Sequence, residues 1–301
     1  MNIGHAALEV LMQKGNITGS LFPQYRFVRE EDGLHQLGSG GFAIVYEMMD
    51  PLDRTRRLAM KVEKAASGTH ASFMEEVCGW QQLSRQSPYV MPIVDAAEWE
   101  GMWCILMERG DKLLGRNDAG DMCVSREELL HRTGILQFAV QIGQALRVSH
   151  ENGILHGDIK PENIYWNAER NCYQLSDFVS WESQGFTKGY AAPEILAQGR
   201  CEDIVSKEPG YTVASDIYSY GMLLYVLLNR LRFPGTEGYY SSMRQYDPEY
   251  VFPAPLNSTE MLTRSIRKMC EWNPEKRYQT MEEVLADLDR IMREYGFHIL
   301  Q

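Results

Sequence analysis

The sequence predicts an α+β fold in which a small strand-rich part precedes a larger helical part. In the first third of the chain, short apolar or β-branched segments alternate with glycine and Asp-Pro turns. From about residue 125 onward, apolar residues recur at helical spacing instead. A length of 301 residues suits about two domains. Each of the two parts is therefore long enough to form its own core.

Several segments in the first part have the composition of β-strands. They cover residues 25–29, 44–49, 57–63, 91–97 and 103–108. A single helix, predicted from about Ala71 to Leu83, lies among them. This order predicts a small sheet accompanied by one helix.

The second part is predicted to be mainly helical. From Leu136 to His150, apolar residues fall on one helix face. The apolar run from Ile217 to Leu228 is shorter than the ~20 residues that span a bilayer, so it indicates a buried core helix. Thr280 and Glu283 have the spacing of a capping box at the start of the last helix.

Composition excludes several function classes. The chain has 30 Lys and Arg against 41 Asp and Glu, a formal net charge of −11. This balance argues against a nucleic-acid partner and against charge-driven docking on an anionic membrane. Six scattered cysteines without a C-x-x-C pair indicate free thiols in a reducing compartment. We therefore expect a cytoplasmic protein with no membrane span.

A glycine-rich turn at residues 38–41 lies between two predicted strands. Glycines allow backbone N–H groups to approach a polyphosphate closely, although an ordinary β-hairpin has the same appearance. Lys61 follows within an apolar strand, where a buried ammonium needs a partner. Glu76 on the predicted helix is the preferred partner, because this choice keeps the apolar helix face in register; Glu75 is the alternative.

The stretch from His156 to Asn163 concentrates an acid, a cation and an amide. Asp158 could accept a proton from a hydroxyl group. Asn163 and Asp177, the latter after a short predicted strand, offer the hard oxygen ligands that Mg²⁺ prefers. The stretch therefore predicts a phosphoryl-transfer site.

These motifs, in this order, resemble the eukaryotic-like (Hanks-type) serine/threonine protein kinases. The resemblance also rests on Ala192-Pro193-Glu194, on Asp216 to Gly221 and on Arg277. It implies a bilobal kinase fold, with an antiparallel-sheet N-lobe carrying one helix at 25–109 and a mostly helical C-lobe at 110–301. The kinase domain itself would cover 25–295, preceded by an extension at 1–24 of no assigned role.

The resemblance implies a role for each matching residue. Four residues would be catalytic: Lys61, Glu76, Asp158 and Lys160. ATP would be bound between the lobes by Gly38, Ser39, Gly40, Gly41, Val45, Ala59, Lys61, Met107, Glu108, Gly110 and Tyr165. Asn163 and Asp177 would hold Mg²⁺, or alternatively Mn²⁺. The acceptor would be a Ser or Thr hydroxyl of a protein substrate, next to Thr187. Asp216 would brace the catalytic loop, and Arg277 would pair with Glu194.

Some positions depart from the family pattern. Gly157 stands where many relatives carry the arginine that pairs with a phosphorylated activation loop, so we expect activity without such phosphorylation (a non-RD kinase). Val179 replaces the glycine of the Asp-Phe-Gly motif, and Ala43 replaces the third glycine of the phosphate loop. An insertion-like stretch covers residues 197–212. Val179, Ala43, Tyr165 at the adenine floor and the short segment from Asp177 to Glu194 leave a nucleotide-binding or protein-interaction scaffold, a pseudokinase, as the alternative to an active enzyme. The sequence leaves the oligomeric state open.

Overall fold

The computed structural model describes residues 25–31, 33–39, 43–63, 70–99, 102–117, 119–178, 187, 189–198, 210–234 and 253–296. The chain divides into two compact units. The N-terminal unit comprises Met1–Gln86 and Met91–Gly110, and the C-terminal unit comprises Ser87–Val90 and Asp111–Gln301. Residues 1–24, for which the sequence suggested no role, lie outside the described residues.

In the part of the N-terminal unit that the structure describes, short strands accompany one helix, as predicted. Its strands are β1 (Arg26–Phe27), β2 (Arg29–Glu30), β3 (Gly33–Leu34), β4 (Gln36–Ser39), β5 (Ala43–Met49), β6 (Arg57–Glu63), β7 (Ile93–Trp99) and β8 (Met102–Glu108). The helix α1 covers His70–Gln86. An antiparallel sheet of six strands has the order β1-β5-β6-β8-β7, with β4 pairing on β5.

The single strand expected at residues 25–29 is in fact two. β1 pairs with β5, whereas β2 pairs with β3 in a separate hairpin. Val28, between them, donates its N–H to the Glu47 carbonyl and accepts from the N–H of His35. The chain changes partner at this residue, so the strand is interrupted.

One face of the large sheet forms an apolar core. Because side chains alternate along a strand, every second residue of β5, β6 and β8 points to this face. The buried residues there include Ile44, Tyr46, Met48, Leu58, Met60, Val62, Met102, Cys104 and Leu106. Their neighbours in sequence therefore lie on the opposite face, and these include Val45, Lys61 and Met107.

Helix α1 is anchored to the sheet by aromatic residues. The Phe73 ring stacks on that of Trp103 with centroids 4.5 Å apart. The Trp80 indole Nε1 donates to the Met91 carbonyl at 2.7 Å. Phe73, Val77 and Trp80 are all buried. The helix thus presents the apolar face that was predicted from its residue spacing.

The C-terminal unit is mostly helical. Its helices are α2 (Arg132–Glu151), α3 (Pro193–Gln198), α4 (Val213–Leu228), α5 (Glu260–Met269) and α6 (Met281–Glu294). Its strands are β9 (Asp111–Lys112), β10 (Leu114–Arg116), β11 (Met122–Val124), β12 (Ile164–Asn167) and β13 (Cys172–Leu175). Single 3₁₀ turns cover Glu127–Leu130, Pro161–Asn163 and Pro274–Lys276.

Helix α4 is the buried centre of this unit, as the apolar run predicted. All its residues from Ala214 to Leu228 are buried. Thr212 and Ser215 form a reciprocal capping box at its start. The capping box predicted at Thr280 is only half correct: the Thr280 side chain accepts from the Glu283 N–H, but the Glu283 carboxylate accepts from the N–H of Gln279. Within the described ranges, no helix has the length and apolarity needed to cross a membrane.

Candidate active site

Strand register places several predicted nucleotide-binding residues on one face of the N-terminal sheet. Val45 lies opposite Lys61, and Ala59 lies between Glu47 and Met107. Residues directly opposite in an antiparallel pair share a face. The predicted adenine-packing residues and the predicted phosphate-binding lysine are therefore neighbours on this face.

Strand β4 includes the first two residues of the predicted glycine-rich turn. Gly38 and Ser39 belong to strand β4, where they pair with Val45 and Ile44. Gly40 and Gly41, which we expected to cover the phosphates, lie outside the described residues. Ala43, which replaces the third glycine of the pattern, begins β5. The strands that flank the turn are thus defined.

Lys61 is buried, with 9% of its surface exposed, within the apolar strand β6. Of the two candidate partners on α1, Glu76 is half-buried and Glu75 is exposed. This difference favours Glu76, because an ion pair with a buried lysine needs a carboxylate on the inward side of the helix. The pairing of Lys61 with Glu76 stays a prediction.

The segment that follows β8 is held by main-chain hydrogen bonds. Glu108 donates its N–H to the Pro92 carbonyl at 3.2 Å, and Arg109 donates to the Arg57 carbonyl at 3.1 Å. The Glu108 N–H is thus occupied, and the binding of an adenine edge by the Glu108 and Gly110 backbone stays a prediction. Gly110 ends the N-terminal unit.

In the C-terminal unit, Asp158, Lys160 and Thr187 form a closed hydrogen-bonded triangle. Thr187 Oγ1 donates to Asp158 Oδ1 at 2.7 Å, and Lys160 Nζ donates to Thr187 Oγ1 at 3.0 Å. Lys160 Nζ also contacts Asp158 Oδ2. About a fifth of each charged side chain is exposed, 22% for Lys160 and 23% for Asp158. The Asp158 carboxylate is thus oriented on both oxygens and remains accessible to an acceptor.

His156 connects the loop that carries Asp158 to the segment that carries Asp177. Its Nε2 bonds to the Ser176 carbonyl at 2.9 Å, and its Nδ1 accepts from the Asp158 N–H at 3.2 Å. The ring of the buried Phe178 lies 4.9 Å from the His156 ring. These contacts on either side fix the main chain around Asp177.

Asp177 itself has a φ of 67°, in the left-handed region that residues other than glycine rarely adopt. Such strain persists only where surrounding contacts enforce it, and it is commonly found at functional sites. Here the enforcing contacts come from the neighbours, Ser176 and Phe178. The backbone at Asp177 is therefore the part of this segment that the fold holds in a costly conformation.

Asn163 lies beside the same segment. Its Nδ2 donates to the Asp158 carbonyl at 2.8 Å, and its own carbonyl accepts from the Ser176 N–H at 2.9 Å. The first bond uses the amide nitrogen, so the amide oxygen is the atom turned to other partners. Asn163 is thus bonded to the residue before Asp177, and the oxygen-bearing side chains of both suit a magnesium ion; their role as ligands stays a prediction. Among the described residues, no group of three His, Cys, Asp or Glu side chains could hold a metal ion by itself.

The loop that carries Asp158 is braced by the fully buried carboxylate of Asp216 on α4. It accepts from the N–H groups of His156 (2.8 Å) and Gly157 (2.9 Å), from His150 Nε2 (2.8 Å) and from the Tyr211 hydroxyl (3.1 Å). Burial alone would raise the pKa of Asp216, but the hydrogen bonds and charges of His150 and His156 together outweigh it and lower that pKa. The predicted brace is present, with His150 and Tyr211 as partners that the sequence did not indicate.

Gly157 has a φ of 79° while its N–H bonds to Asp216. Glycine adopts this conformation without steric cost, whereas a side chain would be strained here. Glycine at this position therefore avoids backbone strain in the loop.

Tyr165, predicted to lie under the adenine, is half-buried on β12. Burial, with the nearby charges of Asp177 and Glu162, raises the pKa of its hydroxyl to about 12. The hydroxyl is neutral across the physiological range. Tyr165 is thus close to the metal-binding candidate Asp177, and a nucleotide-binding role for it stays a prediction.

Glu194 and Arg277 form the predicted ion pair. Arg277 Nη1 and Nη2 donate to Glu194 Oε1 and Oε2 at 2.7 and 2.8 Å. The guanidinium is fully buried and also donates to the carbonyls of Ala214, Glu271 and Trp272. This pair anchors the start of α3 to the helical core. Val179 and residues 199–209 of the insertion-like stretch lie outside the described residues.

Sequence reasoning missed a buried carboxylate in the N-terminal unit. Glu47 is 2% exposed, and it binds Arg57, Arg109 and His35. The sequence feature that could have indicated this buried carboxylate is a charged residue in the middle of an otherwise apolar strand.

The protein kinase domain family matches residues 32–288, and the chain belongs to this family. It is 27% identical over 279 residues to a protein of Clostridium acetobutylicum named probable serine/threonine-protein kinase, covering 86% of this chain and 39% of that protein. The serine/threonine-protein kinase PknB of Mycolicibacterium smegmatis is 27% identical over 287 residues, which cover 89% of this chain and 44% of that protein. The probable serine/threonine-protein kinase PknB of Lactococcus lactis is 24% identical over 285 residues, 90% of this chain and 42% of that protein. The chain spans about two fifths of the length of these relatives.

Proposed function

We propose that the chain transfers the γ-phosphoryl group of ATP to Ser or Thr hydroxyls of proteins. The observation that carries this proposal is the hydrogen-bonded triangle of Asp158, Lys160 and Thr187. It presents an oriented carboxylate to an acceptor hydroxyl and a cation beside it, which is what phosphoryl transfer requires of a protein. The names of the relatives support the same activity, and the comparisons give no support to the scaffold alternative.

Each residue has a physical task in this proposal. The Asp158 carboxylate would accept the proton of the acceptor hydroxyl, and Lys160 would neutralise charge on the transferred group. Lys61, oriented by Glu76, would hold the α- and β-phosphates. Thr187 holds the Asp158 carboxylate and the Lys160 ammonium group side by side through hydrogen bonds of its hydroxyl.

The remaining predicted ligands would serve the nucleotide and its metal. Asn163 and Asp177 would hold Mg²⁺, which when bound neutralises charge on the phosphates. On the N-terminal sheet, Val45, Ala59 and Met107 would pack on the adenine. The Glu108 carbonyl and the Gly110 backbone would bind its polar edge. Tyr165 would contribute from β12.

The test is phosphate incorporation from radiolabelled ATP, with myelin basic protein as a general acceptor. We expect Asp158→Asn to lower kcat by about 10²–10⁴-fold, because the variant lacks the proton-accepting carboxylate. Asp111→Asn, a substitution of the exposed aspartate on β9, is the matched control and should retain wild-type incorporation. Equal incorporation by wild type and Asp158→Asn would contradict the proposal, since it would trace the signal to a contaminant.

A further inference from the structure

Glu47 carries a buried charge in the N-terminal unit to which the proposed chemistry assigns no task. Its carboxylate is 2% exposed, and an unpaired charge at such a position is costly. Arg57 Nη1 donates to Oε1 at 2.9 Å, Arg109 Nη1 contacts the same oxygen, and His35 Nδ1 lies 2.5 Å from Oε2. Glu47 and its three partners thus form a polar cluster around one buried carboxylate.

Strand register explains why these partners meet. Glu47 lies opposite Ala59 on β6, and Ala59 lies opposite Met107 on β8. Arg57 lies two residues before Ala59, and Arg109 lies two residues after Met107. Because side chains alternate along a strand, both arginines point to the face that Glu47 occupies. This is also the face of Val45 and Lys61. The carboxylate is thus a direct neighbour of the residues assigned to the nucleotide.

Arg109 connects this cluster to the segment proposed to bind adenine. It lies between Glu108 and Gly110, and both its main chain and its side chain are held. Its N–H donates to the Arg57 carbonyl at 3.1 Å, and its guanidinium contacts Glu47. Hydrogen bonding to a flat base edge depends on backbone groups being placed to within about half an ångström.

We propose that Glu47 is a positioning residue for adenine recognition, which acts by fixing Arg109 and through it the backbone of residues 108–110. The inference rests on the proposed function. It adds to that function, because it states that a cluster of charged side chains on the sheet holds the adenine-binding backbone in place. Glu47 should therefore affect the binding of the adenine base and not the binding of the phosphates.

Calorimetric binding of adenosine and of MgATP tests this inference. In Glu47→Gln the charge-assisted contact to Arg109 is lost, and we expect Kd for both ligands to rise about tenfold. Arg109→Gln should give the same rise, and the double variant should be no weaker than either single one, because both remove one interaction. Arg57→Gln is the matched control: it removes another cation from Glu47 but leaves the Arg109 contact, so Kd should change by less than about twofold.

A kinetic measurement separates positioning from general damage. With myelin basic protein as acceptor, Glu47→Gln should raise KM for ATP while kcat at saturating ATP stays within about twofold of wild type. A fall in kcat with unchanged KM would overturn the inference, and so would unchanged adenosine affinity. If Glu47→Gln does not fold, Arg109→Gln decides, because the Arg109 side chain is 32% exposed and its replacement leaves Glu47 paired with Arg57 and His35.

The two proposals fail in different ways. A wild-type protein that binds neither ligand would contradict the proposed function and, with it, this inference. A wild-type protein that binds both, with Glu47→Gln and Arg109→Gln binding equally well, would overturn only the positioning role.

Discussion

At the scale of single residues, buried ionic groups do the most to fix the candidate site. Asp216 holds the backbone of His156 and Gly157, and Arg277 holds Glu194 through two parallel hydrogen bonds. In each case the charge is desolvated and its hydrogen-bonding capacity is met by several partners. Removing one member would leave the other charged and buried, which is why these residues are costly to change.

Arg277→Ala should lower the free energy of unfolding by about 3–5 kcal/mol, because Glu194 would be left without its buried partner. Arg264 offers a matched control, since it pairs with Glu260 on the surface with 77% and 88% of the two side chains exposed. Arg264→Ala should change stability by less than about 1 kcal/mol. Urea denaturation measures both, and equal effects would contradict the role assigned to burial.

The buried Asp216 predicts a dependence of stability on pH. Its folded-state pKa lies below the ordinary value of 3.8, so the ionised carboxylate contributes stability above that pH and loses it as the pH falls through the folded pKa. Asp216→Asn should therefore cost about 3 kcal/mol at neutral pH. The difference from wild type should shrink below pH 3.8.

Denaturation curves across this acidic range measure the difference between wild type and Asp216→Asn. Asp53→Asn is the control, because Asp53 is fully exposed and its pKa is lowered mainly by a hydrogen bond from Thr55. It should show a much smaller difference at neutral pH. A cost of Asp216→Asn that stays constant into acid would contradict the assignment.

At the scale of elements, the site depends on how closely helices approach one another. Gly221 on α4 allows α5 to pack against it: a Cβ there would lie 2.6 Å from Met269 Cβ and 2.8 Å from Cys270 Sγ. Gly143 on α2 is also tightly packed, but a Cβ there would meet Leu285 Cδ2, the end of a flexible side chain, at 2.9 Å. The two glycines therefore differ in how easily their neighbours can move.

Gly221→Ala should destabilise the protein by about 1–3 kcal/mol, because Met269 Cβ is fixed to its backbone and cannot yield. Gly143→Ala should be close to neutral, since Leu285 can adopt another rotamer and alanine favours the helix by about 1 kcal/mol. Thermal denaturation compares the pair. A Gly221→Ala variant as stable as Gly143→Ala would show that the α4–α5 contact is looser than described.

At the scale of the whole molecule, the question is whether activity depends on modification. The resemblance implies that Gly157 stands in place of an arginine that would pair with a phosphorylated activation loop, so we expect activity without such phosphorylation. Thr187 already binds Asp158 and Lys160, so a phosphate there would place negative charge beside the proposed base. The triangle is complete with Thr187 unmodified, which supports activity without loop phosphorylation.

We expect phosphatase treatment to leave the initial rate of myelin basic protein phosphorylation within about twofold of a mock-treated sample. Mass spectrometry must confirm that Ser180, Ser183 and Thr187 carry no phosphate after treatment and phosphatase removal. A large loss of activity on dephosphorylation would contradict the expectation.

Local patterns in the sequence predicted many of the strands and helices of this protein and the faces that they bury. Strand β6 has the predicted bounds, and the apolar run at 217–228 is the buried helix α4. Alternation and helical spacing report which face of an element is buried, and both depend only on nearby residues. The Asp216 brace and the Glu194–Arg277 pair were implied by the family resemblance, which rests on the order of short motifs, and the structure confirms both contacts.

Only the tertiary structure decided the distant contacts that no family motif carries. The Glu47 cluster joins β5, β6 and the end of β8, and His150 reaches Asp216 across 66 positions of sequence. Strand register and helix packing determine these contacts, and neither produces a periodic pattern in the sequence. The sequence thus determined the elements, the kinase motifs and the acidic character of the protein, whereas the fold determined which charges are buried together, because desolvation depends on everything packed around a group.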